Sequence, residues 1–195
     1  MPAKIDWNEV SQQATSLLTD YIRIDTTSPP GGEEAGAIFL REALKREGIA
    51  AEMHDAGDGR VSISARLSAT RASGKKPIVL LSHIDVVPVE REHWKVDPFS
   101  GAVADGIIWG RGTLDMKGMA VMELLAMAML KRQGIELDRD IVFVAVADEE
   151  EGGHKGIHHL RRTRPDLLQA DYVFNEGAYG FSQFLGKKVT MFGLG

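Results

Sequence analysis

Val79-Leu80-Leu81-Ser82-His83-Ile84-Asp85-Val86-Val87-Pro88 is the stretch from which the rest of the chain is read. It opens as a continuous apolar run, the pattern of a strand buried on both faces of a sheet. It then carries a histidine and a carboxylate two residues apart. On an extended backbone residues i and i+2 project from one face. His83 and Asp85 therefore point the same way where the apolar run reaches its carboxyl end. An imidazole beside a carboxylate is an acid/base pair or a metal ligand with the group that orients it. The stretch alone leaves both readings open.

Outward from this strand, taken as Pro77 to Ser82, the chain alternates between two periodicities. Asp6 with Glu9 three residues on has the form of a capping box, opening a helix to about Ile24. Two prolines and two glycines in Asp25 to Gly32 break it. A second amphipathic helix spans roughly Glu34 to Glu47 and stops at Gly48. Ala50 to His54 and Val61 to Leu67 are strands; the alternation in the latter predicts cover on one face only. Ile107 to Trp109 is a short strand, and a helix apolar on most sides runs from about Met116 to Gln133. Ile141 to Ala147 is a second fully apolar strand, running straight into Asp148-Glu149-Glu150-Glu151. Gly156 to Arg162 is a helix, Asp171 to Phe174 a strand running into Asn175-Glu176-Gly177, and Lys188 to Phe192 a last strand. Strands alternating with helices predict an α/β fold, a three-layer α/β/α sandwich on a mainly parallel, mixed sheet.

Composition narrows the function. The 195 residues, 44% of them hydrophobic, suffice for one core. A net charge of −5 leaves no basic footprint for nucleic acid or an anionic membrane. With no cysteine there is no disulfide framework, thiolate zinc site or cysteine nucleophile. The first residues lack the apolar core of a secretory signal, and the Gly118 to Leu130 run is too short for a bilayer. The expectation is a soluble cytoplasmic protein.

Three polar clusters each follow an apolar strand: His83 with Asp85, Asp148 to Glu151, and Glu176. Asp115, behind Gly110-Arg111-Gly112, opens the long helix. In open α/β sheets ligands bind at the carboxyl ends of strands, so folding would bring these groups to one edge. Gathered there, Asp115, Glu149, Glu150 and Glu176 would repel unless some took protons or a divalent cation intervened. One imidazole with several carboxylates suits zinc, manganese or cobalt, and this many carboxylates can hold two ions if one bridges.

Ser82 to Pro88, Asp97-Pro98-Phe99, Gly110 to Gly118, Asp148 to Gly153 and Asn175-Glu176-Gly177 together resemble, in order, the motifs of the dizinc aminoacylase and carboxypeptidase family. That family includes aminoacylase, acetylornithine deacetylase, succinyl-diaminopimelate desuccinylase and glutamate carboxypeptidase. The resemblance implies a hydrolase of amides next to a free carboxylate, acting on small peptides or N-acyl amino acids. It implies two divalent ions, zinc first and cobalt or manganese next, with a hydroxide between them attacking the carbonyl. His83 would ligate one ion, with Asp85 orienting its ring, and Asp115 would bridge both. Glu150 would hold the second ion, Glu176 would complete the first, and Glu149 would be the general base. A cis peptide is implied at Asp115–Met116. The family's remaining histidine ligand has no counterpart after Glu176. Residues 1–195 are therefore expected to be the N-terminal portion of the catalytic domain, inactive alone. The smaller lid or dimerisation domain, through which a homodimer would form, and the C-terminal half lie outside it.

Blander readings exist for each group. His83 alone is a satisfied strand-end histidine, Glu149 to Glu151 a solvated acidic loop, and Asp115 a helix N-cap. His154 and His158 lie four apart, but Lys155 stands where a zincin pair needs glutamate, so they read as a surface pair. Gly110-Arg111-Gly112 lacks the third glycine of a dinucleotide fingerprint. Trp94 and Trp109 read as packing anchors. Two other function classes compete: a non-catalytic metal- or partner-binding piece, and a metal-independent hydrolase using two carboxylates.

Overall fold

The structure, a computed structural model, describes residues 5–177 and 180–192. Its elements in chain order are α1 (Trp7–Ile22), α2 (Glu33–Arg46), β1 (Ala51–Asp55), β2 (Val61–Leu67), β3 (Ile78–His83), β4 (Ala102–Ala104), β5 (Ile107–Trp109), α3 (Lys117–Arg132), β6 (Ile141–Val146), α4 (Ile157–Thr163), β7 (Tyr172–Phe174), β8 (Gly180–Phe184) and β9 (Lys187–Phe192). Asp6 caps α1 as its sequence predicts, its carboxylate accepting the N–H of Asn8 and of Glu9.

A five-stranded mixed sheet in the order β1-β2-β6-β3-β7 organises the molecule. β3 lies parallel to β6 on one side and to β7 on the other, while β1 and β2 run antiparallel. Every residue of β6 is buried, which is why its sequence shows no polar alternation. One face packs on α1, α2 and α3 through Tyr21, Leu40, Leu44, Ile63, Leu124 and Phe143. The other face, with Val79, Val142, Val144 and Val146, packs on Leu160 of α4 and on Leu167. The helices thus form two layers around the sheet. From β3 the chain passes through α3 to β6 on one side, then through α4 to β7 on the other. The carboxyl ends of β3, β6 and β7 consequently open at one edge, with β3 in the middle.

One expectation fails. β2 is buried on both faces from Val61 to Ala65. Its serines give the polar half of the alternation, yet Ser64 Oγ meets His54 Nε2 at 2.8 Å and Ser62 Oγ accepts the Ala147 N–H at 3.1 Å. A small hydroxyl with a partner can be covered at little cost, so alternation does not mark exposure here. The sequence also gave no sign of β4, which pairs with β5 as a hairpin, or of β8.

Candidate metal centre

His83 is the last residue of β3, held opposite Val146, and its ring is 1% exposed. Beyond it the chain leaves the sheet and is stitched to the loop after α1. Ser28 donates to Val86 O, Val86 to Thr26 O, and Thr26 Oγ1 to Ile84 O. These bonds fix the turn that carries Asp85, which is fully buried.

The two nitrogens of His83 face different surroundings. Nδ1 lies 2.9 Å from the backbone carbonyl of Asp85 and 3.6 Å from its carboxylate. A hydrogen bond to a carbonyl oxygen places a proton on Nδ1, so in the neutral ring Nε2 carries the lone pair. Nε2 lies 3.0 Å from Asp115 Oδ1, 3.2 Å from Glu176 Oε1 and 3.9 Å from Glu149 Oε2. One atom each from His83, Asp115 and Glu176 fall within 4.8 Å of one another.

Lone pairs on Nε2 and on the carboxylates pointed at one another require a proton or a cation between them. Without a cation, the proton goes to the ring. Burial works against the imidazolium, yet Asp85, then Glu176 and Glu149, push His83 up to about 9. Burial and the Asp115 charge hold Glu176 and Glu150 above the usual carboxylate range. Burial also opposes ionisation of Asp85, but His83 and the N–H groups of Glu150 and Glu149 hold it below that range. One nitrogen and several oxygens converging beside a shared positive charge form a donor set for a divalent cation.

Each sequence-derived residue can now be placed. Asp115 precedes α3, whose N-cap is Met116 without a side-chain bond, so the N-cap reading of Asp115 gives way. Its carboxylate faces His83 instead, and the Asp115–Met116 peptide is cis. Glu149 and Glu150 follow β6, their N–H groups donating to the two Asp85 carboxylate oxygens at 3.1 and 3.0 Å. Glu150 lies outside the three-residue group, and Glu149, with a side chain 49% exposed, opens to solvent. Asp85 touches the ring through its backbone carbonyl and spends its carboxylate on the loop. His154 and His158 are exposed, their rings stacked at 5.5 Å, away from the group. Trp94 lies under the Arg111 guanidinium at 5.5 Å, while Trp109 is exposed and anchors little.

The sequence did not point to the buried charges behind the loop. Glu33 is fully buried, and Arg60 Nη1 reaches Glu33 Oε1 at 2.6 Å, Ser28 Oγ at 2.7 Å and Asp148 Oδ1 at 3.4 Å. Glu33 opens α2 just after Gly32 and Arg60 follows Gly59 in the loop before β2, positions where charge normally signals solvent.

Residues 79–184 match the model of peptidase family M20/M25/M40. Aminoacylase-1 of Sus scrofa is 36% identical over 171 residues, 87% of this chain and 42% of that protein. A succinyl-diaminopimelate desuccinylase of Methylobacterium radiotolerans is 36% identical over 139 residues, 70% of this chain and 35% of that protein. The solved structure of a metallo-carboxypeptidase of the same family from Sulfolobus solfataricus superposes with a TM-score of 0.74 at 27% identity, covering 85% of this chain and 37% of that one. The chain thus spans about two-fifths of the relatives it matches.

Proposed function

The chain belongs to peptidase family M20/M25/M40, and from that premise we propose that it carries most of the metal-binding and proton-transfer groups of an amide hydrolase. The bond cleaved lies next to a free carboxylate, in a dipeptide, a peptide C-terminus or an N-acyl amino acid. The names of the relatives support this class: an aminoacylase, a desuccinylase and a metallo-carboxypeptidase all cut such bonds. The observation that carries the reading is His83 Nε2, facing the oxygens of Asp115, Glu176 and Glu149 within 3.9 Å.

His83, Asp115 and Glu176 would hold one divalent ion, and Asp115 with Glu150 a second. Zinc is the proposed metal, with cobalt or manganese as substitutes. Such ions, when bound, supply Lewis acidity and a water of lowered pKa. The rest of the chemistry falls to this chain. The Asp85 carbonyl fixes the His83 tautomer so that Nε2 presents its lone pair. The Asp85 carboxylate holds the Glu149–Glu150 backbone against the strand ends. Glu149, half exposed at the rim, receives the proton of the attacking water on its carboxylate and returns it to the leaving amine. Arg60, committed to Glu33 and Asp148, is not free to grip a substrate carboxylate. That grip and a further histidine ligand are assigned to parts of the enzyme outside residues 1–195, with these residues forming the N-terminal portion of its catalytic domain.

The test is a panel of N-acyl amino acids and dipeptides given to the full-length enzyme. Turnover abolished by chelator and restored by zinc is expected. Hydrolysis that survives complete metal removal contradicts the proposal.

A further inference from the structure

Four consecutive backbone N–H groups at the end of β6 are taken by three buried side chains from different parts of the fold. Ala147 donates to Ser62 Oγ at 3.1 Å, Asp148 to Glu33 Oε1 at 3.1 Å, and Glu149 and Glu150 to Asp85. This segment continues no helix or strand, so its donors find their partners in side chains instead. Asp148 stands at φ +63, a region that side chains other than glycine rarely occupy. Its own carboxylate accepts the Lys155 N–H at 2.9 Å and faces Arg60.

Glu33 and Asp148 are both buried carboxylates. Arg60 neutralises both with one guanidinium nitrogen, which also donates to Ser28 Oγ. Glu33 Oε2 accepts the Gly32 N–H at 2.9 Å, so this carboxylate ties the loop after α1 to the end of β6. Gly31 lies under the Arg60 guanidinium, where a Cβ would overlap it. Lys155 additionally pairs with Asp58, two residues before Arg60. None of these side chains belongs to the group around His83 Nε2. Glu33, held by Arg60, meets the backbone immediately before Glu149.

We propose that the Glu33–Arg60 pair is a positioning device for the Glu149–Glu150 segment, setting where the proton-accepting carboxylate stands relative to His83. The inference rests on the reading of Glu149 as general base. The pair acts through Asp148, and neither residue reaches the reacting atoms. Removing the cation leaves Glu33 and Asp148 as like charges in a dry site, and the segment must move to let water in. Displacing a catalytic group by about 1 Å can cost on the order of 100-fold in rate. Zinc at His83, Asp115 and Glu176 has no ligand on this segment.

The experiment compares Arg60→Met, Arg60→Lys and Glu33→Gln in the full-length zinc enzyme, reading kcat, KM, zinc content, Tm and amide hydrogen exchange at residues 148–150. For Arg60→Met the expectation is a kcat lower by roughly 10- to 100-fold, KM little changed, one zinc retained and faster exchange at 148–150. Arg60→Lys restores much of kcat, because the charge returns. Should Arg60→Met fail to fold, Glu33→Gln decides: it keeps an oxygen for the Asp148 N–H and gives the same pattern in weaker form. A folded variant with wild-type kcat and wild-type exchange at 148–150 overturns the proposal. So does a kcat loss that merely tracks loss of the zinc at His83, Asp115 and Glu176 or loss of the fold. If the wild-type enzyme hydrolyses nothing in the panel, the general-base reading fails, while the exchange data still show whether the pair holds the segment.

Discussion

Replacing Asp85 by asparagine separates two roles that a histidine–aspartate pair normally merges. The carboxylate, fully buried, accepts the N–H of Glu149 at 3.1 Å and of Glu150 at 3.0 Å. His83 Nδ1 lies 2.9 Å from the Asp85 carbonyl but 3.6 Å from the carboxylate. An asparagine side chain has one oxygen and one amide nitrogen, so one of the two N–H groups meets another donor. Hydrogen bonds to a charged acceptor contribute about 1.5–3 kcal/mol, and an orphaned buried N–H costs a further 1–3 kcal/mol. An opening free energy lowered by roughly 2.5–6 kcal/mol corresponds to hydrogen exchange about 60- to 20,000-fold faster, since 1.4 kcal/mol is a factor of ten. The loss is expected at Glu149 or Glu150. The His83 tautomer, read by nitrogen NMR of the ring in the zinc-loaded protein, is expected to persist because its partner is backbone. Asp85→Asn with unchanged exchange at both amides and an altered His83 tautomer would refute the reasoning.

Three further outcomes follow from the same geometry. Glu149→Gln should lower kcat of the full-length enzyme by about 10²- to 10⁴-fold while zinc content stays constant; near-normal turnover would remove Glu149 from the proton path. Glu123 on α3 is 6% exposed and neither carboxyl oxygen has a partner among the described residues, so burial pushes it up to about 8 despite the nearby Ser82 hydroxyl. The native state keeps this proton where the unfolded chain has released it, so stability falls as pH rises from the ordinary carboxylate range to about 8 and then levels off. Glu123→Met should match wild type at pH 4 and exceed it by roughly 3–5 kcal/mol at pH 9 in urea titrations; a pH-independent difference would show that Glu123 is not the source. Gly156→Ala would drive a Cβ into the Ala147 carbonyl oxygen, costing about 2–3 kcal/mol in the same assay, and wild-type stability would mean that this approach is looser than the structure has it.

What the sequence disclosed, and what it withheld, follows from how burial is written into it. β3 and β6 are covered on both faces and appear as unbroken apolar runs, so the sheet centre and the strand ends carrying His83, Glu149 and Glu150 were legible. Glu176 and Asp115 were legible for a related reason, one following a strand and the other opening a helix. Ser62 and Ser64 misled because the partners that let a hydroxyl be buried, His54 and the Ala147 N–H, are remote in sequence. Glu33 and Arg60 were invisible: they are 27 residues apart, one opening α2 and the other in the loop before β2, and only the folded chain makes them a buried pair. The division of labour within Asp85 was equally hidden, because no side-chain pattern reports that a backbone carbonyl is the acceptor.

The central claim is that a divalent cation sits between the His83 nitrogen and the carboxylates of Asp115 and Glu176. Zinc titration calorimetry on chelator-stripped protein, wild type against His83→Ala and Glu176→Gln, tests it most directly. At least one zinc bound per wild-type chain, with that site lost in His83→Ala and weakened in Glu176→Gln, is the predicted result. Zinc binding identical in all three proteins, or none in the wild type, would contradict it.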